Sequence, residues 1–378
     1  MGRRLVSVVV GLSLCLCSLS LYARNLIKIG SSMGITGPYS SVVERIVQGI
    51  RVAFDEANGA GGVNGARIVW INYDDGYNAA DTVSNIAKLV SRDGVDLLFA
   101  TFGTPTSIAT VERLDYYDTV LFFPITGFSQ IYTGVLSRKV FTLLPSYAQE
   151  ARQLVELAKK DGARSIGVVY YVNLYGFDVF NAARRRAKEL GMRFYKYPFI
   201  PGQTDPARVV KQISKDRPDA VLFAIPRKGT QAVVAGLIKK GVFPNIYGEF
   251  YARVPQVFDA LPQKYASKFK KVYTGMFLPR LEDDYPVISR YKAAAAKYGD
   301  GKVTAAGLQG YILGRALVLV LTKAGEWATP GDLIRRVETI KDLDIGLPER
   351  ISYGPRDHVG MTRIFIYRWS SGRLTPVK

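Results

Sequence analysis

One feature constrains this chain more than any other: short, continuously apolar runs alternate with amphipathic runs for over two hundred residues. "LIKIGSSMG" leads into a helical pattern over 42–57, "ARIVWINYDD" into one over about 79–92, "VDLLFATFG" into one over about 106–117, and "VLFFPITG" closes the set. A second series follows: helix 147–161, "SIGVVYYVN", helix 176–190, "MRFYKYPFI", helix 205–215, "DAVLFAIP", helix 230–240 and "NIYGEF". Strands that are apolar on both faces belong to parallel sheets covered by helices on both sides. The expected fold class is therefore α/β, with two doubly wound parallel-sheet lobes joined by a multi-crossing hinge.

The tail breaks the pattern. "KKVYTGMFLP" is a strand without an obvious partner after it, two helical stretches and "GDLIRRVETI" follow, and "ERISYG" with "RIFIYRWSSG" reads as a strand pair. Such a tail implies that the chain crosses between lobes more than once. The expected division is 24–145 plus 275–349 for the first lobe and 146–274 plus 350–378 for the second. The apolar helix around Leu313–Leu321 contains Arg315 and flanking glycines, which favour a buried helix over a membrane span.

The first residues carry Arg3 and Arg4, an apolar run from Leu5 to Leu16, and a small residue at Ala23, the pattern of a secretory signal peptide cleaved after Ala23. Leu14 and Leu16 precede the two cysteines, so a lipoprotein signal is not expected. Export to the periplasm follows, and the mature chain has neither cysteine nor thiolate chemistry. About 355 residues are too many for one ordinary core and suit two lobes. Removing Arg3 and Arg4 from the formal charge of +19 leaves +17. The basic residues are scattered over helices ("ARRRAKE", "SKFKK", "LIRR"), so a solvated basic surface is expected and nucleic acid is not.

"FDEANGAGGVNGARIVW" poses the choice between a phosphate cradle and a turn. A dinucleotide fingerprint lies after a strand and before a helix; here a helix precedes and a strand follows. Asn64 also occupies the third glycine position. The stretch reads as a helix C-cap and turn. The only histidine, His358 in "GPRDHVG", reads as a turn residue, and one histidine cannot build a zinc site. Asp74 and Asp75 form the best carboxylate pair for an enzyme, but adjacent strand residues point to opposite faces. No cofactor, metal site or catalysis is expected.

In open parallel sheets, ligands bind beyond the carboxyl ends of the strands. The loops there, "SSMGITGPYS", "TFGTPTS", "PITGFSQ", "YYVNLYG", "IPRKGT" and "YGEFY", carry hydroxyls, aromatics and one carboxylate. That inventory suits holding a small molecule. With "GITGPYS", "AFDEANGAGGVNGARI", "YDDGYNAADTVSNIAKLV", "FGTPTS", "PITG", "SYAQEARQLVE", "YGFDVFNAARRRAKELG" and "SYGPRDHVG", the chain resembles the type I periplasmic solute-binding proteins over nearly its whole mature length. The closest pattern is the leucine/isoleucine/valine-binding branch that serves ABC importers.

The resemblance implies a monomer that closes on a small polar solute and delivers it to an ABC permease in the inner membrane. A periplasmic sensor of the same fold remains the alternative. It implies ligand contacts from Phe102, Gly103, Thr104, Thr126, Gly127 and Phe128 in the first lobe, and from Tyr171, Tyr175, Pro226 and Glu249 in the second. Tyr39 stands in for an aromatic cap at the position where Val42 falls, and Gly127 stands where amino-acid binders carry threonine. Alternatives stay open at several of these. Thr104 could cap a helix, Glu249 could be a surface carboxylate, Tyr147 could pack or touch ligand, and only one of Tyr170 and Tyr171 faces the site. Arg227 either enters the cleft, favouring anions, or faces outward.

Overall fold

The computed structural model describes residues 25–133 and 138–377, so the amino-terminal leader and its cysteines lie outside the described residues. The first series is β1 (Leu26–Met33), α1 (Ser40–Gly59), β2 (Arg67–Asp74), α2 (Ala79–Ser91), β3 (Leu97–Phe99), α3 (Thr104–Val111), β4 (Leu121–Phe122), α4 (Ser129–Tyr132) and β5 (Val140–Phe141). The second is α5 (Tyr147–Lys160), β6 (Ser165–Tyr171), α6 (Leu174–Glu189), β7 (Arg193–Phe199), α7 (Pro206–Asp216), β8 (Ala220–Ala224), α8 (Arg227–Lys240) and β9 (Asn245–Gly248). After a 3-10 turn at Phe250–Ala252 come α9 (Val254–Asp259), α10 (Gln263–Ala266) and β10 (Val272–Met276). The tail is α11 (Pro286–Tyr298), α12 (Ala305–Ala324), α13 (Pro330–Val337), β11 (Phe365–Ser370) and β12 (Arg373–Pro376).

Local chemistry sets the helix starts. Asn78 accepts from Ala80 N at 2.8 Å, Asp205 caps α7 ahead of Pro206, and Ser146 with Gln149 forms a reciprocal capping box on α5. The glycine-rich stretch is a turn: α1 ends at Gly59, Gly61, Gly62 and Gly65 have positive φ, and Gly62 N closes onto Ala57 O at 2.8 Å. The Asn58 side chain then holds both the N–H and the carbonyl of Ile68 at the head of β2.

The first sheet has strand order β2-β1-β3-β4-β5, all parallel. The second repeats it as β7-β6-β8-β9-β10 and continues with antiparallel β11 and β12. "RIFIYRWSSG" therefore pairs with β10 and with the last strand, whereas Ile351 of "ERISYG" makes only an isolated bridge to Leu343. The expected strand pair is wrong because residues 352–361 are committed to the hinge. The second sheet also runs on to Met276, past the crossing expected at 274–275.

Three segments pass between the sheets: residues 142–146, 277–285 and 352–364. The first and third are zipped together. Thr142 N donates to His358 O, Gly360 N donates to Thr142 O, and Met361 N donates to Leu143 O, each at 2.9 Å. Here the turn expectation for His358 is corrected. Its ring is buried, stacks on Phe141 at 4.0 Å, and places its nitrogens 3.1 Å from Val140 O and 3.0 Å from Glu338 Oε1. The second crossing is tied by Arg280 and Tyr367, which both bond Asp283.

Helix α12 is long and apolar enough to pass as a membrane span, yet 61% of that window is buried inside the protein. It packs on α1 through glycines at close approach. A Cβ at Gly310 would overlap the Ile46 carbonyl oxygen, and one at Gly49 would overlap that of Gly307. Helix propensity alone gives Gly310→Ala a gain of about 1 kcal/mol, but a fixed backbone oxygen cannot move aside. We predict a net loss of about 1–3 kcal/mol for Gly310→Ala, read from urea or thermal unfolding.

Candidate functional site

The carboxyl ends of both sheets face the gap spanned by the hinge segments. In the first lobe, Ile125 N donates to Thr101 O at 2.7 Å and Gly103 N to Ile125 O at 3.1 Å, so the loops after β3 and β4 run side by side. That pairing sets Thr104 Oγ1 2.9 Å from Thr126 Oγ1, with Phe128 N donating to Thr126 Oγ1 at 3.2 Å. Gly103, with φ 96°, is the N-cap of α3. Thr104 makes no capping bond, and its hydroxyl belongs to the buried threonine pair instead.

Above the threonines stand three rings. Tyr39 lies 4.6 Å from Tyr77 and 5.9 Å from Phe102, and Tyr77 lies 6.2 Å from Phe102. Tyr39 is the rim residue, 42% exposed. Val42 packs against the core. A Cβ at Gly103 would overlap the Tyr77 ring, so this glycine makes room for an aromatic that sequence patterning did not single out.

In the second lobe, Glu249 follows β9 and is wholly buried, not a surface carboxylate. Its Oε1 accepts from the Tyr175 hydroxyl and from Tyr251 N at 3.0 Å, while Oε2 has no partner. Burial raises the Glu249 carboxyl to about 7, against hydrogen bonds from Tyr175 and Tyr251 and the positive charge of Arg253. Beside it, Glu150 of α5 is equally buried; its Oε1 accepts from Phe250 N at 2.8 Å and its Oε2 has no partner. Burial first, then repulsion from Glu249, pushes Glu150 well above the carboxylate range. "SYAQEARQLVE" contains Glu150, but only helical phase combined with the position of β10 shows that it turns inward. A Cβ at Gly275 of β10 would overlap its carboxylate.

Tyr147 joins the halves. As the first residue of α5 it is buried, its N donates to Gly127 O at 2.7 Å, and its hydroxyl is 3.4 Å from Thr126 Oγ1. Its ring lies 5.1 Å from Tyr175, 6.0 Å from Tyr251 and 6.0 Å from Phe277. A Cβ at Gly127 would stand 2.6 Å from the Tyr147 ring and 2.8 Å from its N. The threonine absent from position 127 is thus replaced, in space, by the Tyr147 ring.

Not every expected contact converges. Tyr170 packs on Phe180 at 4.4 Å, so Tyr171 is the one of the pair left half-buried on the gap side, 5.9 Å from Phe199. Pro226 precedes α8, and Arg227 is exposed on that helix's first turn. Asp74 and Asp75 diverge: Asp74 accepts from Thr36 and Gly76 N, while Asp75 accepts from Ser32, Tyr77 N and Thr82. Each secures a loop, so they form no acid/base pair. A direct bond set also crosses the gap: Ser129, through its N at 2.9 Å and its hydroxyl, donates to Asp178 of α6.

Two similar α/β lobes, three connecting segments and polar loops converging at the carboxyl edges define a two-lobe solute-binding protein. The family model described as periplasmic binding protein matches residues 26–373, and the chain belongs to that family. It is 23% identical over 378 residues to Leu/Ile/Val-binding protein homolog 8 of Brucella abortus (strain 2308), covering 93% of this chain and 90% of the relative. Leu/Ile/Val-binding protein homolog 7 of Brucella suis biovar 1 (strain 1330) is 23% identical over 315 residues, covering 79% of this chain and 77% of its own.

Among solved structures, a branched chain amino acid ABC transporter protein from Thermus thermophilus with bound valine superposes with TM-score 0.78 at 16% identity. The match covers 94% of this chain and 96% of that one. A fatty acid ABC transporter substrate-binding protein from Thermomonospora curvata gives 0.76 at 21% identity, covering 94% and 92%. These likenesses establish the fold.

Steric replacement at position 127 leads to a prediction. Gly127→Thr should destabilise the protein by about 1–3 kcal/mol, because a packed ring and a backbone N must both move. Combining it with Tyr147→Ala should restore part of that loss relative to Tyr147→Ala alone, measurable in a double-mutant cycle by thermal unfolding.

Proposed function

We propose that this chain is the exported binding component of an ABC importer, closing its lobes on a small polar solute that carries a cationic nitrogen. The observation that carries the reading is Glu249: a wholly buried carboxylate with one unpartnered oxygen, in the second lobe across the gap from the first lobe's threonine pair. A buried acceptor without a partner is costly in the free protein and rewarding to a donor that arrives. An ammonium on Glu249 Oε2 gains a charge-assisted bond of roughly 1.5–3 kcal/mol. A carboxylate or carbonyl on the same solute would face Thr104 and Thr126, while Tyr39, Tyr77 and Tyr171 would cover its apolar part.

The relative with bound valine and the one named for fatty acids frame the choice of solute. Closure follows from contacts made to both lobes only in the shut state, with Ser129–Asp178 adding a ligand-independent bias toward it. Release to an inner-membrane permease and residence in the periplasm complete the proposal.

Thermal unfolding of residues 24–378 against pools of amino acids, amides, aromatic acids and dicarboxylates tests it. A ligand at a hundred times its dissociation constant raises stability by about 2.7 kcal/mol. Amino acids should shift the midpoint; a shift from dicarboxylates alone would reject the cationic-nitrogen reading. Glu249→Gln should weaken binding at least tenfold by calorimetry while the ligand-free chain still melts cooperatively. Asp178→Ala should weaken binding several-fold and enlarge the ligand-free particle in small-angle scattering.

A further inference from the structure

Two glutamates, not one, end in the core beneath the gap. Glu150 Oε1 and Glu249 Oε1 accept from the consecutive amides of Phe250 and Tyr251, at 2.8 and 3.0 Å, so the carboxylates stand side by side. Each keeps an Oε2 that is buried and bonded to nothing. Among the described residues neither carboxylate has an ion pair. The nearest cation, Arg253, turns its guanidinium onto the Phe250 ring at 4.2 Å. The remaining titratable groups facing the pair are the hydroxyls of buried Tyr147 and of half-buried Tyr175 and Tyr251, from α5, α6 and the 3-10 turn. From β10 the pair meets Gly275, whose lack of a side chain leaves the space that Glu150 fills.

Two carboxylates in one dry pocket cannot both stay ionised without a counter-charge. We propose that Glu150 and Glu249 hold a single proton between them in the ligand-free chain, so that the site offers one negative charge to one cationic group. Glu150 is then a positioning residue that sets the charge of the ligand-facing Glu249, and it would distinguish a monocationic amine from a dication. Its use in binding rests on the functional reading above, but the shared proton itself does not.

Melting curves of ligand-free residues 24–378 between pH 5 and pH 8 test the pair directly. Burial holds the Glu249 proton on in the folded chain to about pH 7 and raises Glu150 well above the carboxylate range, whereas an unfolded glutamate loses its proton near 4.5. The folded state therefore binds more protons over that interval. The stability contributed by Glu249 is complete below about 4.5 and is lost as the pH rises through about 7. In Glu150→Gln, the amide keeps the acceptor for Phe250 N and permanently removes the second carboxylate charge beside Glu249. Its midpoint should fall less between pH 5 and pH 8, and at pH 8 should lie about 2 °C or more above the parent chain.

Glu249→Gln removes the charge from the other side and should flatten the profile likewise. If both variants melt below the parent at pH 8, or keep its full pH slope, the shared proton is refuted. No ligand enters this readout, so it can succeed where the solute screen fails, and the reverse.

Discussion

The arrangement hangs on a short backbone zipper between the first and third hinge segments, where Thr142 bonds His358 and Gly360 and Leu143 bonds Met361. A parallel bridge of this kind joins two crossings into one ribbon, so the lobes can rotate about it but cannot separate. His358 braces the ribbon by stacking on Phe141, and Tyr353 reinforces it by donating to Thr142 O at 3.0 Å. Directly after the ribbon, Tyr147 begins α5 and reaches into both halves of the gap. A residue so close to the pivot moves little as the lobes close, which suits it to be the floor of a site whose walls move.

Electrostatics give that floor its character. Neighbouring like charges repel, and burial adds to the cost of keeping both ionised. Core packing around α12 and the second sheet supplies the stability that tolerates such a site. The tyrosines around Glu249 lower its cost by donating hydrogen bonds without bringing a compensating charge. On the proposed reading, the pocket is left with an unmet demand for a cation that a solute would satisfy and the chain's abundant surface arginines and lysines do not. Exposed cations stay hydrated and are screened within about 10 Å, so a strongly basic exterior and an acidic buried floor coexist.

Membership of the periplasmic binding protein family sets the scaffold, and local sterics set this chain's departures from the expected contacts. Position 127 lacks a hydroxyl because the Tyr147 ring and backbone already fill its Cβ volume. Gly103 likewise admits Tyr77, which extends the aromatic rim beyond Tyr39 and Phe102. At both positions the missing side chain leaves room for a ring from a neighbouring element.

The alternation of apolar strands and amphipathic helices was enough to read two α/β lobes from sequence, and the caps that the structure shows at Asn78, Ser146, Asp205, Thr304 and Thr329 act on the same short range. Those features act over one turn of helix or one strand, and their physics is local. The loops bearing Thr104, Thr126 and Glu249 were legible for the same reason, since each follows a recognisable strand. The two-residue β5, the pairing partners of the closing hairpin and the burial of His358 depend on contacts up to 218 residues away and leave no periodic trace. Glu150 shows the limit most plainly. In the sequence it is an unremarked charge on an amphipathic helix; only the packing of α5 against Gly275 and the turn after β9 makes it a buried neighbour of Glu249. Desolvation and charge coupling are properties of three-dimensional proximity, and tertiary structure alone decides them.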